Sequence, residues 1–96
     1  MPQPYPTIIT PEILEGVAHI RGDIIKQDII DTQAEIDKLE VERDAHAMIA
    51  KANMGTPKGK LANLRATAKR NGIERRQAFI TFLRAILEGR TCTESA

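Results

Sequence analysis

The stretch Asn53-Met54-Gly55-Thr56-Pro57 divides the chain in two. Gly55 stands where a helix can end on a left-handed residue. Thr56 is a good N-cap, and Pro57 cannot extend the helix before it yet suits the first position of the helix after it. The same signal occurs earlier, at Thr10-Pro11-Glu12, where the acidic residue favours the positive end of the helix dipole. Ile9 and Leu14 flank that start at the positions of a hydrophobic staple.

Working outward, no proline interrupts the chain between Pro11 and Pro57. The reading is a long helix over 11–54, about 44 residues and roughly 66 Å at 1.5 Å per residue. Gly16 and Gly22 weaken its first third, and Asp23 is able to cap a fresh start, so a kink near Gly22 is the alternative. After the divide, a second helix is expected over 57–70 and a third over 73–88. Asn71-Gly72 serves as the stop between them, and Gly89 as the final stop. An extended arm over 1–10, with Pro2, Pro4 and Pro6, and a disordered tail over 90–96 complete an all-α chain: one long N-terminal helix and two shorter ones in a bundle or coiled-coil-like oligomer.

The composition agrees with this class and removes several chemistries. The chain has 96 residues, 42% hydrophobic and 28% charged, which suits a helical domain. Tyr5, Phe79 and Phe82 are its only aromatic residues, too few for an all-β core or a base-stacking platform. Cys92 and Ser95 are its only cysteine and serine, and both sit in the polar tail. A disulfide within the chain, a cysteine zinc cage and a serine-centred triad all lack their components. His19 lies between Glu15 and Asp23 at i−4 and i+4, and His46 follows Glu42 by four, but such positions are ordinarily solvated helix surface. Around Thr56-Pro57-Lys58-Gly59-Lys60, three residues separate the glycines and Leu61 stands where a phosphate-binding loop needs Ser or Thr. The expectation is a non-enzymatic protein with no cofactor and no metal. No apolar run approaches the ~20 residues of a membrane span and no signal-peptide core follows Met1, so a cytoplasmic location without membrane contact is expected.

The apolar residues of the first half fall on more than one side of a helix. Ile25, Ile29, Ile36 and Leu39 form a narrow stripe with Thr32 among them; Ile30, Ala34, Val41, Ala45, Met48 and Ala52 lie nearly opposite; Ile13, Val17, Ile20 and Ile24 form a third line. Two short downstream helices cannot cover both sides of so long a rod. The reading is a homodimer, with Ile25, Ile29, Ile36 and Leu39 at the seam between copies. A monomeric three-helix bundle with a bent first helix is the competing arrangement.

Charge separates along the chain as well. Residues 1–48 hold four basic and ten acidic residues; residues 49–96 hold ten basic and three acidic. That asymmetry points to a polyanion partner, or to an acidic first half lying against a basic second half. Ala68-Lys69-Arg70-Asn71-Gly72-Ile73 resembles the turn of helix-turn-helix DNA-binding proteins. The resemblance implies a recognition helix opening at Glu74, with Arg75 or Arg76 reading guanine and Gln77 adenine, and with Lys58, Lys60, Arg65 and Lys69 on phosphates. Arg70 flanks the same turn. The functional expectation is a small dimeric DNA-binding protein of regulator or mobile-element accessory type. The alternative is a helical adaptor or inhibitor that docks on a larger protein machine.

Overall fold

The computed structural model describes Tyr5, Pro6 and residues 8–95, with side chains through Arg90. Helix α1 spans Pro11–Gly16, α2 spans Gly22–Ala52 and α3 spans Pro57–Ser95; no strand occurs among the described residues. The two long helices lie against each other as an antiparallel hairpin with extents of 60 × 25 × 17 Å. Met1–Pro4 of the expected arm, Thr7, and Ala96 of the expected tail lie outside the described residues.

The helical class holds, but the order is short, long, long rather than long, short, short. Two boundaries account for the difference. The first is a break after Gly16: Val17, Ala18 and Ile20 donate to the carbonyls of Ile13, Glu15 and Val17 in a tightened, irregular turn, and α2 restarts after Arg21 without a side-chain cap on that residue. Arg90, from the far end of α3, donates to the carbonyls of Ile20 and Val17, which supplies partners to backbone groups that a continuous helix would have used internally. His19 falls in this turn, so Glu15, His19 and Asp23 do not share a helix face.

The second difference is that Asn71-Gly72 makes no turn. Helix α3 runs straight through it, and among the described residues Gly55 alone has a positive φ, at 81°. Packing explains this. Inward positions of α3 recur at alternating spacings of three and four: Gly59, Ala62, Ala66, Lys69, Ile73, Arg76, Ile80, Leu83. Those of α2 follow the same rule: Ile25, Ile29, Thr32, Ile36, Leu39, Arg43, His46, Ala50. In phase with the buried Ala62 and Ala66 before the supposed stop, Ile73 and Ile80 are buried with Ile36 after it. Burying each is worth about 1.5–3 kcal/mol, against ~1 kcal/mol for one glycine inside a helix. Gly89 likewise lies inside α3. The side chain of Leu14 packs where its Cβ would be, with a nearest approach of 3.2 Å.

The core is uneven along the hairpin. Ile25, Leu83 and Ile86 form one cluster, over which Ile9, Leu14, Val17 and Ile20 fold from the N-terminal segment; Ile36, Ile73 and Ile80 form the next. Tyr5 sits against Phe79 and Phe82, with ring centroids 5.3 and 5.4 Å apart. Toward the connection the buried positions shrink to Gly59, Ala62 and Ala66. The large apolar residues there point outward instead.

Candidate docking surface at the hairpin tip

The connection is built as its sequence requires. Asn53 closes α2, its backbone N–H reaching the carbonyls of Ile49 and Ala50 and its side-chain amide reaching Ile49 O at 2.8 Å. Gly55 takes the left-handed conformation that a side chain would disfavour. The Thr56 hydroxyl donates to Asn53 O at 2.6 Å and accepts from the Gly59 N–H at 3.1 Å, so it caps α3 and ties the two helices together. Gly59 is required by contact: a Cβ there would lie 2.0 Å from Asn53 O and 2.7 Å from Asn53 C.

This close approach opens a groove beside the connection, lined by Ala47, Ala50, Lys51, Met54, Gly59 and Lys60 among others. Its floor is small because the residues that let the helices meet are small. Its rims carry two lysines, one from each helix. Met54 is 79% exposed, and Leu64, one turn beyond Lys60, is 67% exposed. From Ala45 to Ile73 the chain contains six Lys or Arg residues and no carboxylate.

The acidic and basic halves of the chain meet within the hairpin. Lys69 pairs with Glu42 at 2.6 Å and Arg76 with Glu35 at 2.8 Å. The hydrogen bond from Lys69 holds the Glu42 carboxyl below the ordinary carboxylate range. Desolvation opposes this shift, and the charges of Lys69, Lys38 and His46 reinforce it. Arg76 also donates to Gly72 O at 3.2 Å. Two of the seven cations assigned to nucleic acid are thus occupied inside the chain. Lys58, Lys60, Arg65, Arg70 and Arg75 are exposed on α3 and make no ion pair among the described residues. With α3 continuous, Glu74–Gln77 do not open a helix, so the basis for major-groove reading by Arg75, Arg76 and Gln77 is gone.

The stripe assigned to a seam between copies also changes role. Ile25 and Ile36 are buried, and Ile29 and Leu39 partly buried, against residues of α3 in the same chain. The reason is length. A continuous α3 of 39 residues reaches about 58 Å and covers an α2 of 31 residues and about 46 Å, which two short helices could not do. What stays open is the opposite stripe: Ile30, Val41 and Met48 are 60, 70 and 73% exposed, with Ala34, Ala45 and Ala52 exposed between them.

Among the described residues no three of His, Cys, Asp and Glu converge as a metal site would require, and no helix is long and apolar enough to cross a membrane. The apolar tip was the feature that sequence reasoning missed. Its signal was present in the small Gly59, Ala62 and Ala66 at inward positions, beside Met54, Leu61 and Leu64 at outward ones. No protein-family model, no curated protein and no solved structure matches the chain.

Proposed function

We propose that this chain is a non-enzymatic docking module: a helical hairpin that pairs with a second copy along the outer stripe of α2 and binds a partner protein at its tip. The observation that carries the reading is the exposure of Met54 and Leu64 at the tip, where Gly59, Ala62 and Ala66 fill the interior, and of Ile30, Val41 and Met48 along α2. So many large apolar side chains exposed on two faces of a domain this small favour a binding surface. Phosphate binding has no use for it. Two copies meeting across Ile30, Val41 and Met48 would gain about 1.5–3 kcal/mol for each large side chain fully covered.

The test is capture by the immobilised chain, compared across variants. The wild-type chain retains one partner protein, Leu64→Asp loses it, and Arg84→Ala keeps it. Retention that ignores Leu64→Asp contradicts the reading.

A second reading is duplex DNA binding through phosphates alone, supported by the carboxylate-free, six-cation stretch from Ala45 to Ile73. Its residues are Lys58, Lys60, Arg65, Arg70 and Arg75; Lys69 and Arg76 are committed to Glu42 and Glu35. It requires affinity that falls steeply with salt, with Lys58→Ala and Arg65→Ala together lowering the log–log slope by about 2. Absence of duplex binding at ~50 mM salt removes it.

A further inference from the structure

We propose that the groove floored by Ala47, Ala50 and Gly59 receives an acidic amphipathic α-helix of the partner protein, its apolar ridge on the floor and its carboxylates against Lys51 and Lys60. This rests on the docking reading above and gives the partner its chemistry.

Three observations define the occupant. The first is shape. The groove runs between two helices whose inward residues here are glycine and alanine, so its floor is shallow enough for a third helix to approach. Among the described residues there is no sheet edge to receive an extended peptide. The second is surface chemistry. Met54 lines the groove and is largely exposed, and methionine adapts its flexible thioether to an apolar ridge. The third is charge. Lys51 lines the groove from α2 and Lys60 from α3, and no carboxylate is among the lining residues to compete for them. Such exposed cations add little affinity each, but they favour a partner of opposite sign and orient it. A DNA duplex or an anionic bilayer could reach the rim lysines but would leave the apolar floor wet. A helix with acidic flanks satisfies both.

The test uses fluorescence anisotropy with the full chain and a fluorescein-labelled peptide of about 18 residues, with leucines at i, i+3, i+4 and i+7 and Glu, Gln and Ala elsewhere. Its companion has the same composition with the leucines out of register. A labelled duplex and vesicles of phosphatidylcholine with phosphatidylserine are run alongside. At about 150 mM NaCl the in-register peptide binds with micromolar Kd, about tenfold tighter than its companion. Lys51→Glu with Lys60→Glu weakens it about tenfold. Ala47→Phe, which fills the groove at an exposed position without altering charge, weakens it to a similar degree; circular dichroism verifies that each variant stays helical. Equal affinity for the two peptides, no binding of the in-register peptide, indifference to Ala47→Phe, or binding of only duplex or vesicles overturns the inference. If the peptide fails while capture of a partner still depends on Leu64, the acidic helix is wrong and the docking module stands. If both fail, the docking reading falls with it.

Discussion

Gly72→Ala separates the continuous α3 from a helix-turn-helix arrangement by the sign of one number. In the hairpin Gly72 is helical, with no positive φ. Alanine inside a helix is favoured over glycine by about 0.5–1 kcal/mol. The added Cβ would meet Arg76 Nη1 at 3.3 Å and Leu39 Cδ1 at 3.6 Å. The second is an ordinary contact. The first is the far end of a flexible side chain that needs to move only a few tenths of an ångström. The variant is therefore stabilised by up to about 1 kcal/mol, which raises Tm by about 2–8 °C in a chain of this size. Thermal unfolding followed by circular dichroism at 222 nm measures it, at one fixed protein concentration because association raises Tm by mass action. A turn at Asn71-Gly72 would put the glycine in the left-handed region, and alanine would then lower Tm. A lower Tm refutes the continuous helix. Gly59→Ala is the counterpart with the opposite sign: its Cβ would meet Asn53 backbone atoms, which cannot move without rebuilding the connection. The clash costs about 1–3 kcal/mol and exceeds the helix gain.

Other consequences follow from the same geometry. Ile36 is completely buried, so Ile36→Ala costs about 2–5 kcal/mol in denaturant unfolding; a loss below ~1 kcal/mol would place Ile36 outside the core. Arg90→Met removes two hydrogen bonds to the turn carbonyls of Val17 and Ile20, so amide exchange in residues 9–20 accelerates while that of 29–39 and 73–80 stays slow. Uniform acceleration along the hairpin would contradict the local role. Glu42 is held below the ordinary carboxylate range by Lys69, so its contribution is present at neutral pH and is lost as pH falls through that depressed value. Glu42→Gln is accordingly less stable than wild type near neutrality, with the difference closing in strong acid; a difference that widens on acidification would reverse the sign.

The chain's local signals were legible wherever the local structure is self-contained. Thr56, Gly55 and Pro57 end one helix and begin the next, and Thr10 accepts from the Ile13 N–H at 3.3 Å as an N-cap should. The stripe of Ile25, Ile29, Ile36 and Leu39 was legible as a buried face because its spacing belongs to one helix. Its partner was not. Asn71-Gly72 reads as a stop from propensity alone, and only the pairing of Ile73 and Ile80 with Ile36 overrides it. That one boundary shortened the apparent reach of the second half and sent the stripe to another copy. The break after Gly16 was open to a kink at Gly22. Arg90, some 70 residues away in sequence, supplies partners to the turn carbonyls, and no local pattern encodes that contact. Charge asymmetry was visible, while its partial neutralisation through Glu35–Arg76 and Glu42–Lys69 depended on register.

A single hairpin leaves the outer face of α2 uncovered. Light scattering on the eluting protein, at about 100 μM for wild type and for Val41→Asp, tests this most directly. The expected mass for wild type is twice the 10.7 kDa of the chain, falling to the single-chain value in Val41→Asp with helicity retained. A wild-type mass equal to one chain at that concentration contradicts it.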